Sequence, residues 1–76
     1  MKEYMGVSVD CGKRNAFEVQ DEVEKLLAAE FKGFVADGGG MMIDSNVRDI
    51  FFDINTKDAL KVVPFLESKG YKIIKD

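Results

Sequence analysis

Val47-Arg48-Asp49-Ile50-Phe51-Phe52-Asp53-Ile54 decides how this chain folds. Side chains along a strand alternate between two faces, so Ile50, Phe52 and Ile54 share one side. Val47, Asp49, Phe51 and Asp53 take the other. One face is purely apolar and the other mixes an aromatic ring with carboxylates, the pattern of a strand with a single buried side. Just before it, Asp44-Ser45-Asn46 supplies turn residues. Upstream of that turn, residues 34–43 read as an edge strand broken or bulged at Gly38-Gly39-Gly40, because glycine weakens a strand and marks bulges. Downstream, Thr56 is expected to cap a helix with Asp58 in its first turn. Ala59, Val62, Val63 and Leu66 form that helix's buried stripe, with Leu60 beside it. Pro64 should kink it, since its ring clashes with the preceding turn and an amide donor is lost. Lys69-Gly70 ends the helix, and Tyr71 to Lys75 forms a short last strand.

The N-terminal part repeats this order. Residues 3–11 alternate, with Met5, Val7, Val9 and Cys11 on one face and Tyr4, Gly6, Ser8 and Asp10 on the other. Gly12-Lys13-Arg14 breaks the strand. Asn15 is a good N-cap, with Glu18 three residues later as in a capping box. Ala16, Val19, Val23, Leu26 and Leu27 then recur at helical spacing. Phe31 ends this helix and Gly33 makes its C-cap.

The resulting β-α-β-β-α-β order predicts an α+β fold, the two-layer ferredoxin-like sandwich. It has an antiparallel four-stranded sheet in the order 4-1-3-2 and both helices on one face. No helix remains for the other face. Tyr4, Ser8, Asp10, Val47, Asp49, Phe51 and Asp53 should be displayed there.

Composition narrows the function classes. Seventy-six residues make one domain, 1–76, with a core expected to leave only about 3–5 kcal/mol of net stability. One cysteine allows neither a disulfide framework nor a multi-cysteine metal site, and it fits a reducing, cytoplasmic setting. Neither an apolar signal core nor a run long enough to span a bilayer is present, which predicts no membrane partner. The net charge of −3 speaks against a phosphate backbone as partner, and Tyr4 and Phe51 lie among aspartates rather than basic residues; no nucleic acid is expected. Histidine is absent, removing the commonest general base and metal ligand. The chain is therefore expected to be noncatalytic, with no cofactor and no metal.

Two binding readings remain. The first is a protein-interaction or regulatory module that engages a protein partner or its own copy, forming a homo-oligomer. Tyr4, Val47 and Phe51 would be anchors, Asp49 and Asp53 would set charge complementarity, and Met41 and Met42 on the glycine-rich arm would add an adaptable contact. The alternative is a regulatory domain for a small anion or metabolite, held by Gly12, Lys13, Arg14 and Asn15 where helix amides are unpaired. Families sharing this fold do not extend that loop reading. Copper-carrying domains place C-x-x-C there, whereas Cys11 is followed by Arg14. Acylphosphatases carry an arginine with a glycine-rich signature that Arg14 alone does not reproduce.

Overall fold

In the computed structural model, which describes residues 1–41 and 45–75, the strands and helices follow the expected order. Strand β1 is Lys2–Asp10, helix α1 Ala16–Glu30, β2 Val35–Met41 and β3 Val47–Asn55. A 3-10 segment, Thr56–Lys61, leads into helix α2, Val62–Ser68, and β4 is Lys72–Ile74. The sheet runs β2-β3-β1-β4, all antiparallel. That is the predicted order, read from the other edge.

The alternation in β1 and β3 builds one core. Val7, Val9, Ile50, Phe52, Ile54 and Ile73 from the sheet meet Val19, Val23, Leu27, Val62 and Leu66 from the helices in a single buried cluster. One cluster shared by both helices places them on the same side of the sheet. Asn15 begins α1, its side-chain oxygen accepting from the Phe17 and Glu18 amides at 2.9 and 3.2 Å. Phe31 is the C-cap and is buried, while Gly33 lies two residues beyond it with φ near +89°, a left-handed turn that glycine adopts freely.

Strand β2 has the predicted irregularity. Its pairing with β3 shifts between Ala36 and Gly39, with Gly38 at φ near +98°. It starts at Val35 and reaches Met41; Met42, Ile43 and Asp44 lie outside the described residues.

The second helical region departs from expectation. Thr56 does not cap it: Asn55 occupies the cap position and makes no side-chain cap bond. The helix is not one kinked cylinder either. A 3-10 segment is followed by α-helix, and Pro64 falls third in α2, where an amide needs no partner in the preceding turn. The tighter winding of a 3-10 segment rotates the apolar stripe. Asp58, Val62 and Leu66 are buried, while Leu60, expected beside the stripe, is 92% exposed.

Strand β4 is short. It pairs with β1 only at Ser8, Val9 and Asp10, so the first half of β1 has no neighbour on that side among the described residues.

Candidate functional site

The register of β1 against β3 lays out the uncovered face row by row. Tyr4 lies opposite Asp53, Gly6 opposite Phe51, Ser8 opposite Asp49 and Asp10 opposite Val47. Tyr4 and Phe51 are thus diagonal neighbours, and their rings stack with centroids 6.1 Å apart and planes 8° from parallel. Gly6 makes this possible. A Cβ there would sit 2.6 Å from Phe51 Cδ1, so the Phe51 ring occupies the space a larger residue would need. Tyr4 remains 57% exposed. Its phenol is pushed up from its ordinary value by partial loss of water, and further by the carboxylates of Asp37 and Asp53.

The carboxylates have different roles. Ser8 Oγ donates to Asp49 Oδ1 at 2.6 Å. Asp10 accepts the Gly12 amide at 2.9 Å and faces Lys72 Nζ at 3.7 Å. Asp53 has no such partner among the described contacts, and it acts with Asp37 on the Tyr4 phenol. Among the described residues, no group of three His, Cys, Asp or Glu side chains converges as a metal site would require.

Not every residue expected here reaches this face. Tyr4, Asp49, Phe51 and Asp53 do. Val47 has the right parity, but it lies at the end of the sheet and is buried, offering little surface to a partner. Met41 pairs with Arg48, whose Nε donates to Gln20 of α1 at 2.5 Å and whose guanidinium lies 4.7 Å from the Phe17 ring centre. Directly opposed residues share a face, so Met41 belongs to the helix side, where it is exposed. Met42 is outside the described residues. In their place the sheet contributes Val35, opposite Asp53, and Ile74, opposite Ser8, which are 49% and 41% exposed. Period-two alternation along the outer strands carries the signal for both.

The loop of the alternative reading is largely committed to the fold. Gly12 turns the chain at φ near +60°, and Asn46 Nδ2 donates to the Gly12 and Arg14 carbonyls, each at 2.8 Å. Asn15 already holds the helix amides that an anion would need. Arg14 turns away to form a two-pronged pair with Glu22, leaving Lys13 as an exposed cation at the turn. Cys11 is buried, its Sγ 3.6 Å from the Val9 carbonyl oxygen, and burial pushes its thiol up. A neutral, enclosed thiol makes a poor nucleophile.

No helix among the described residues is long and apolar enough to cross a membrane. Comparison with protein families, with curated proteins and with solved structures finds no match to this chain.

Proposed function

We propose that this chain is a small noncatalytic recognition module that binds a protein partner, or a second copy of itself, through the uncovered face of its sheet. The observation that carries this reading is the stacked Tyr4–Phe51 pair on a face that no helix protects. Aromatic rings held rigidly at a surface are the side chains that most often dominate binding energy, because they bury a large area at little entropic cost. Val35 and Ile74 widen the apolar area to either side. Asp53, with Asp49 held by Ser8, gives the face a negative character that selects a partner with complementary basic residues.

The test is affinity capture from native cell extract alongside sedimentation at rising protein concentration, each with the unaltered chain and with Phe51→Asp. The expected outcome is a partner or self-association present with the unaltered chain and lost with Phe51→Asp, while the circular dichroism of the two remains alike. A chain that stays monomeric and keeps every captured partner after Phe51→Asp overturns the proposal.

A further inference from the structure

A second feature lies at the end of the sheet, where the β1–α1 loop faces the α2–β4 turn. The two segments enclose a half-open cleft of about 340 Å³. Its lining includes Arg14, Lys69 and Lys72, against the two carboxylates Asp10 and Glu22. Cations therefore outnumber carboxylates here, although acids outnumber bases in the chain as a whole. Cys11 and Val19, both buried and apolar in character, also line it.

The polar groups form a connected set. Glu22 takes one N–H from each terminal nitrogen of Arg14, and Tyr71 donates its hydroxyl to the same carboxylate at 2.7 Å. Glu22, held from two sides, fixes the direction of the guanidinium. Arginine carries five N–H donors in a rigid fork. Glu22 uses two, and no other acceptor engages Arg14 among the described contacts. Three donors thus remain on Arg14, and Lys69 and Lys72 line the same cleft. Lys72 is held only loosely by Asp10, at 3.7 Å, and Lys69 sits 5.5 Å from the Phe65 ring centre, with no carboxylate paired to it among the described residues. Three cations lining one cleft with two carboxylates leave an excess of positive charge there, and charge-assisted hydrogen bonds to an oxyanion are stronger than those to a neutral group.

We infer that this cleft binds a phosphate group, Arg14 donating to it in fork geometry while Lys69 and Lys72 neutralise its charge. Of Gly12, Lys13, Arg14 and Asn15 the site uses only Arg14, and it needs no unpaired helix amide. It is independent of the Tyr4–Phe51 surface, so either can fail without the other.

The experiment is an amide and arginine side-chain NMR titration of the full chain with inorganic phosphate. Parallel arms use sodium acetate and sodium chloride at matched ionic strength. Saturable shifts at Arg14, Glu22, Lys69 and Tyr71 are expected with phosphate, and much weaker ones with acetate. Arg14→Gln and Lys69→Gln should each weaken phosphate binding by roughly tenfold. Lys69→Gln leaves the Arg14–Glu22–Tyr71 set intact, so its result stands even if Arg14→Gln perturbs the fold. Shifts that follow chloride equally, acetate binding as tight as phosphate, or unchanged binding in Lys69→Gln would each overturn the inference.

Discussion

Gly6 shows how much one missing side chain can determine. Its lack of a Cβ lets the Phe51 ring lie across β1 and stack with Tyr4. In Gly6→Ala the new methyl would meet Phe51 Cδ1 at 2.6 Å and the Ile50 carbonyl oxygen at 3.3 Å. The expected result is a loss of about 1–3 kcal/mol in urea-derived stability, the usual cost of forcing a methyl into filled space. Ring-current shifts of Tyr4 should change with it as the pair separates. A variant with unaltered stability and unaltered Tyr4 shifts would show that the ring does not depend on the glycine. Individual positions were also where sequence reading fell short. The alternation of β3 assigned Asp49, Phe51 and Asp53 to the uncovered face correctly, because parity is a local property of an extended chain. The same parity could not reveal that Val47, at the strand's end, is buried.

Pairs of elements hold the fold together through contacts that are remote in sequence. Glu22 on α1 and Tyr71 before β4 are hydrogen-bonded across 49 positions, with Arg14 from the loop completing the set. No spacing rule links such residues, so neither this junction nor the cleft beside it is legible in the sequence. The junction has a pH signature. The Arg14 and Tyr71 hydrogen bonds bring the Glu22 carboxyl down to about 2. A carboxyl lowered on folding stabilises fully above its unfolded value, near 4.3, and that contribution is lost as pH falls toward 2. The Tyr71 hydroxyl is pushed the opposite way, raised first by burial and then by Glu22. Its contribution is present below about pH 10 and lost as pH climbs through the higher folded value. Glu22→Gln should therefore flatten the fall in urea midpoint between about pH 5 and pH 2 relative to the unaltered chain. Superimposable acid limbs would contradict the assignment. The second helical region is the other lesson at this scale. Apolar spacing found Val62 and Leu66, but it assumed α-helical winding from Thr56 onward. The 3-10 segment turns Leu60 outward and Asp58 inward.

For the whole molecule, the order of elements was enough to obtain the sheet order, since a β-α-β-β-α-β chain with both helices on one side has few ways to pair its strands. Element lengths were less accessible. Strand β4 covers three residues where β1 has nine. The Met1 carbonyl accepts from the Thr56 amide, and the Cys11 amide donates to the Asn46 carbonyl, so the odd-numbered residues of β1 bond toward β3. The even-numbered ones turn outward, and only Ser8 and Asp10 meet β4. Amide hydrogen exchange should alternate as a result, with Tyr4 and Gly6 exchanging much faster than Met5 and Val7. Uniform protection along the strand would show that another chain already covers that rim.

The brevity of β4 has a further consequence. Among the described residues, main-chain donors and acceptors at Lys2, Tyr4 and Gly6 meet no strand on the β4 side, an edge about five residues long in line with the end of the final strand. Any extended segment laid into it would be aligned by backbone geometry first. Its own alternate side chains would then arrive beside the Tyr4 and Phe51 rings, so docking by ladder growth and docking by aromatic contact would reinforce one another.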